Sequence, residues 1–183
     1  MAVATKHVTA EDLAAMEPDE ERWALIRGEL VRMPPAGYRH GRVAARVERP
    51  LTDFVEGQDR GVVVREIGFL LARNPDVVLA PDVAFVRGDR LPSGDEEPDG
   101  YLALAPDLVV EVVSPSDRTS RTLEKVFAYL EAGVRLVLLV EPRHKSVTVY
   151  GQDRQARILT NGDEFDGGDI LPGFRLPISA VFR

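Results

Sequence analysis

The chain has 183 residues, 44% hydrophobic and 29% charged, a balance that suits one globular domain over 1–183 and excludes compositional disorder. It contains no cysteine, which rules out a disulfide framework, a thiolate zinc site, an iron–sulfur cluster and a cysteine nucleophile, and leaves oxygen and nitrogen ligands for any metal. With 23 Lys and Arg against 30 Asp and Glu, the formal net charge of −7 argues against a generic polyanion binder.

In chain order, Thr9 followed by Asp12 predicts a helix start with a side-chain cap, running to about Met16 and ended by Pro18 and Asp19. Trp23–Ile26 and Leu30–Met33 read as two short strands joined at Arg27-Gly28, a tight hairpin in which the glycine supplies positive φ. Glu29 then stands at the hairpin exit, ordinarily a solvent-facing position. From Gly41 to Val55, Val43, Val47, Leu51, Phe54 and Val55 recur at helical spacing, with a kink or break expected at Pro50. Arg39, Arg42, Arg46 and Arg49 recur likewise and make the other face basic, either a solvated face or a phosphate track.

Val62–Ala72 and Val77–Val86 are β-branched runs parted by Arg73-Asn74-Pro75-Asp76 and read as one pair of strands. Arg87–Gly100, holding Asp95, Glu96, Glu97 and Asp99, reads as an exposed, mobile loop. Asp107–Val113 is too apolar for an edge strand and is expected centrally. A helix over Thr119–Ala132 follows, with Leu123, Val126, Phe127 and Leu130 as its core stripe and Gly133 beyond its end, before a buried strand at Val134–Val140. Strand, helix, strand in that order predicts a right-handed crossover between parallel strands. The tail reads as a hairpin, Val147–Tyr150 with Ala156–Thr160, then a Gly/Asp-rich turn and an irregular Leu171-Pro172-Gly173-Phe174. The architecture expected is mixed α/β (α+β), a central mixed sheet flanked by helices with an added C-terminal β-hairpin.

The most informative residue is Glu111, a carboxylate in the middle of an apolar strand, where an unpaired charge costs several kcal/mol. Three readings stand open: an ion pair with a nearby Arg or Lys, a strand face open to water, or a metal-ligating or catalytic role. Asp107, four residues earlier, is about 13 Å away along the strand at about 3.3 Å per residue and cannot share an ion with it. A partner must come from an adjacent strand, and Asp82, opening Val83–Val86 after Pro81, is so placed; otherwise it is a turn residue at a strand start. Lys125, about 150° from the centre of the predicted helix stripe, reads by itself as a solvated lysine, one turn before Tyr129. His40 reads by itself as a cap or surface residue. The histidines at 7, 40 and 144 lack metal-site spacing, and no phosphate loop, dinucleotide fingerprint or nucleophile elbow occurs. Ser114 and Ser116 flank Pro115 and suit a backbone turn.

Taken together, Arg27-Gly28-Glu29, Arg39-His40 heading a helix, Pro81-Asp82 with its apolar run, and Pro106-Asp107 through Glu111-Val112-Val113-Ser114-Pro115-Ser116 resemble the Uma-two endonuclease family of the PD-(D/E)xK nuclease superfamily. Lys125 with Tyr129, Gly133-Val134 and the closing Leu171-Pro172-Gly173-Phe174 extend the resemblance over nearly the whole chain. It implies a restriction-endonuclease-like core and a metal-dependent DNA endonuclease. Asp82, Glu111 and the carbonyl of Val112 would hold Mg²⁺ (or Mn²⁺), Glu29 would be a further acidic catalytic residue, and His40 and Tyr129 would line the pocket. The superfamily lysine two positions after the acid is Val113 here, and as in similar family members its role would pass to Lys125. Arg121 departs from the acidic residue that relatives often carry four positions before that lysine. A scaffold without activity that binds nucleic acid or protein, and a hydrolase of small phosphoesters, are the alternatives. A homodimer is expected if both strands of a duplex are cut. With no 18-residue apolar run and no signal-like start at Met1–Ala10, a cytoplasmic protein without a membrane span is expected.

Overall fold

A computed structural model describes residues 7–16, 22–92, 97–153 and 155–183. Pro18, Asp19, Asp95 and Glu96, to which the sequence assigned a helix end and part of a loop, lie outside the described residues.

Helix α1 (Ala10–Ala14) starts at Thr9, whose hydroxyl and the Asp12 carboxylate cap one another's backbone N–H groups. Strands β1 (Arg22–Ile26) and β2 (Glu29–Met33) form the expected hairpin, with Arg27 and Gly28 both at positive φ, as a two-residue turn of matching twist requires. Helix α2 (Tyr38–Glu56) starts three residues before the expected Gly41 and runs unbroken through Pro50. Burial of Val43, Val47, Leu51 and Val55, each contributing about 1.5–3 kcal/mol, offsets the roughly 3 kcal/mol that an interior proline costs.

The long β-branched runs are not one pair of strands. They divide into β3 (Gly61–Val64), β4 (Phe69–Ala72), β5 (Val77–Leu79) and β6 (Val83–Arg87), with β3 pairing β6 and β4 pairing β5 in different sheets. The break falls where Glu66 takes positive φ and Pro81, lacking an N–H, cannot continue a ladder; the Glu66 N–H donates to the Pro81 carbonyl at 3.0 Å. This crossing from one sheet to the other sets Asp82 at the start of β6. Beyond β6, residues 88–90 form a 3₁₀ turn rather than loose loop, and Arg90 pairs with the buried Asp107 at 2.8 Å.

Strand β7 (Leu108–Val112) lies centrally, antiparallel to β6 and parallel to β8 (Leu136–Glu141), and helix α3 (Thr119–Glu131) connects the parallel pair. The hairpin of β9 (Ser146–Gly151) and β10 (Ala156–Leu159) extends this sheet to six strands, in the order β10-β9-β8-β7-β6-β3. A second sheet has the order β2-β1-β5-β4. The tail is more regular than its sequence suggests: β11 (Glu164–Asp166) pairs with β12 (Arg175–Pro177), followed by α4 (Ile178–Val181). Three-residue strands are too short to carry a periodic signal.

Alternation along β7 divides the core. Leu108, Val110 and Val112 pack with α2 and the C-terminal elements, whereas Val109 packs with Val126, Tyr129 and the second sheet. Glu111 shares the Val109 side. On α3 the buried residues are Val126, Ala128 and Tyr129, whereas Phe127, expected in the core, is 54% exposed. No described helix is long and apolar enough to cross a membrane.

Candidate active site

The site grows out of strand register. Val83, Ala84 and Phe85 oppose Val110, Val109 and Leu108, so the next step of the ladder sets Asp82 across from Glu111, with both side chains on one face. Like charges directly opposite repel, and four groups answer this. Lys125 Nζ lies 3.1 Å from Glu111 Oε2, and the Tyr129 hydroxyl donates to Glu111 Oε1 at 2.7 Å. His40 Nε2 lies 3.1 Å from Asp82 Oδ2, which also accepts the Val112 backbone N–H at 2.6 Å. Asp82 Oδ1 has no protein partner among the described residues.

Lys125 reaches this cluster because the buried face of α3 is centred on Val126 and Tyr129, not on Leu123, Phe127 and Leu130. Measured from Tyr129, Lys125 is only about 40° away at about 100° per residue. Its side chain is 13% exposed rather than solvated. An i, i+4 pair of polar residues flanking Val126 was the signal in the sequence.

Burial pushes the Glu111 carboxyl above its ordinary range, Lys125 opposes that rise, and the Asp82 charge adds to it. Burial, reinforced by the Glu111 charge, raises the Tyr129 phenol well above 10, so it acts as a donor. His40 is raised from 6.5, chiefly by its hydrogen bond to Asp82 and against partial burial. The His40 ring thus faces Asp82 and the Lys125 amine faces Glu111, one nitrogen group to each carboxyl. With the folded value raised, the His40–Asp82 pair contributes fully below pH 6.5 and is lost as pH rises through the raised value. In NMR titrations the His40 ring is expected to titrate above 6.5 in the wild type and to move back toward 6.5 in Asp82→Asn; 6.5 in both proteins would remove the pairing.

These residues line a cleft between the β1–β2 hairpin, the end of β7 and the start of α3. A lobe of about 390 Å³ holds Glu111, Lys125, Arg118 and Arg121, and a smaller lobe of about 80 Å³ holds His40, Asp82 and Trp23. Met33, Pro34, Glu111, Val112, Asp117 and Lys125 line both. Among the described residues, His40 Nδ1 and Trp23 Nε1 are buried without hydrogen-bond partners. Arg121, in the position the resemblance marks as unusual, pairs with Glu124 at 2.7 Å. The turn after β7 is held by Asp117, which accepts the Ser114 N–H at 2.8 Å, a role the sequence did not assign to it.

Glu29 is not brought to this cluster. It opposes Ile26 beside the hairpin turn, is exposed, lines neither lobe, and is roughly 13 Å along β2 from Met33. Of the four arginines on α2, Arg39, Arg42 and Arg46 line a separate groove, and Arg49 does not. Asp107 sits at the opposite end of β7 in its pair with Arg90.

The sequence profile of the Uma2 family, described as "Putative restriction endonuclease", matches residues 10–179. The chain belongs to this family. Among solved structures, a "putative nuclease belonging to DUF820" from Anabaena variabilis superposes with a TM-score of 0.86 at 18% identity, covering 96% of this chain and 97% of that one. That likeness is one of fold, and it agrees with the mixed α+β architecture expected above, a central mixed sheet flanked by helices. No curated protein matches the chain. Within the family fold, the donor set suits a hard divalent cation: two opposed carboxylates, one oxygen of Asp82 without a protein partner, and no thiolate. No group of three or more His, Cys, Asp or Glu gathers among the described residues. Such an ion would therefore lean on the two carboxylates, a backbone carbonyl and water.

Proposed function

We infer that the protein is a divalent-metal-dependent endonuclease that hydrolyses phosphodiester bonds in DNA. The observation that carries this reading is the register pairing of Asp82 with Glu111 beside Lys125, in a cleft whose larger lobe is about 390 Å³. Asp82, Glu111 and the Val112 carbonyl would hold Mg²⁺ or Mn²⁺. Once bound, the ion supplies charge stabilisation at the scissile phosphate and makes a water more acidic.

The chain's own groups do the rest. Tyr129 fixes one Glu111 oxygen and so the rotamer of that carboxylate. Lys125, held at the same carboxylate, brings a cation to the place where the phosphate gains negative charge. His40 orients Asp82 through Nε2. Glu29 has no part in this scheme. The protein is taken to act in the cytoplasm, as a homodimer where both strands are cut.

Supercoiled plasmid is expected to be nicked with Mg²⁺ or Mn²⁺ and left intact with EDTA. Retained supercoiling with every divalent ion tried would favour the inactive scaffold, a reading supported by the engagement of both Glu111 oxygens and by Val113 in the usual lysine position. Faster turnover of a small phosphoester than of any nucleic acid would favour the third reading.

A further inference from the structure

A second charged feature lies outside the carboxylate cleft: a groove of about 340 Å³ between the first half of α2, the turn after β8 and Arg183. Its lining contains six cations, Arg39, Arg42, Arg46, Arg143, Lys145 and Arg183, and no acidic side chain. Among the described residues none of the six is held in an ion pair. Arg42 lies over the Tyr38 ring at 5.7 Å, and Arg46 Nη1 is buried with no hydrogen-bond partner among the described residues. The Glu141 carboxylate at the end of β8 accepts the backbone N–H of Arg143 at 2.9 Å.

Like charges with no ion-pair partner among the described residues repel one another, and in a chain of net charge −7 their convergence is not a by-product of a basic composition. The two parallel strands β7 and β8 end at the same edge of the sheet. The turn bearing Arg143 and Lys145 therefore stands at the edge where Glu111 sits. Helix α2 joins the two places, with His40 on Asp82 and Arg39 in the groove. From Arg39 to Arg46 the helix advances about 10.5 Å, which matches about three phosphate steps of one DNA strand at about 3.4 Å each along the duplex.

We propose that this groove binds the sugar–phosphate backbone of duplex DNA and delivers a neighbouring phosphodiester to the carboxylate cleft. The delivery rests on the nuclease reading; the binding does not. The test is the affinity of a fluorescent DNA duplex in EDTA, measured across a salt series for wild type and for the variant combining Arg42→Glu, Arg143→Glu and Lys145→Glu. The variant is expected to bind about tenfold or more weakly, and its plot of log K against log salt is expected to be shallower by about 3, near one for each cation removed.

If circular dichroism shows that this variant does not fold, the milder Arg143→Gln/Lys145→Gln pair is expected to flatten the slope by about 2. A folded variant with wild-type affinity and slope overturns the proposal, as does wild-type preference for duplex RNA over duplex DNA. Cleavage measured in parallel separates the two claims. Wild type that loses DNA binding with these substitutions, yet never cleaves, sustains the groove and sinks the nuclease reading. Wild type that cleaves, beside a variant that binds and cleaves equally well, does the reverse.

Discussion

Replacing Glu111 by glutamine is expected to reduce metal-dependent DNA cleavage on the order of 10²- to 10⁴-fold while duplex binding in EDTA stays at the wild-type level. Glutamine keeps an oxygen for the Tyr129 hydroxyl and fills the same volume, so what is lost is the charge. The stability effect carries a sign of its own. Burial holds the Glu111 carboxyl above 4.5 in the folded protein. The stability that comes from its protonation is thus fully present below pH 4.5 and is lost as pH rises through the raised value. In thermal melts with EDTA, the glutamine variant is therefore expected to gain on wild type as pH rises through that window. A difference in Tm that stays constant with pH would mean that Glu111 is not a strained, desolvated acid.

Lys125→Met is the second large effect. Removing one partner of a mostly buried pair leaves the other uncompensated, at a cost of about 3–5 kcal/mol. Here the remaining carboxylate keeps only the Tyr129 hydroxyl and faces Asp82 across the ladder. Denaturant unfolding at neutral pH is expected to show that loss, and acidification toward pH 4.5 should recover much of it, because Glu111 then takes up a proton. Cleavage is expected to fall about 10²-fold or more. A solvated helix lysine would behave otherwise, with a change within about 0.5 kcal/mol and no pH dependence.

The difference between those outcomes turns on one residue's place on a helix, and that place was misread in the sequence. Hydrophobicity put Phe127 in the core stripe and Lys125 outside it. In the fold Phe127 is exposed, and Tyr129, an aromatic with a polar tip, takes the buried position with its hydroxyl on Glu111. Apolar periodicity cannot rank a phenylalanine against a tyrosine that has a buried partner, because the partner lies on another element. The same limit explains Glu29: proximity to the hairpin is local, whereas distance from Glu111 depends on how two sheets pack.

Several features were legible because their causes are local. Thr9 and Asp12 cap α1, Arg27-Gly28 turns the first hairpin, and the apolar run around Glu111 lies centrally in the large sheet. The anomaly of a carboxylate in such a strand was visible too, since the cost of burying charge needs no coordinates. The family resemblance rested on short motifs such as Arg27-Gly28-Glu29, Pro81-Asp82 and the run from Pro106 to Ser116, and the family profile matches residues 10–179.

What the sequence determined by itself was thus the set of elements and the oddity of Glu111, through propensity, capping and solvation, which act within a few residues. The groups that answer that charge come from the packing of distant elements. The split of two β-branched runs between two sheets delivered Asp82, the rotation of α3 delivered Lys125, and the start of α2 delivered His40. The basic groove likewise unites residues more than a hundred positions apart. Such meetings are fixed by packing and strand register, whose energies belong to pairs of elements and are written in neither one alone.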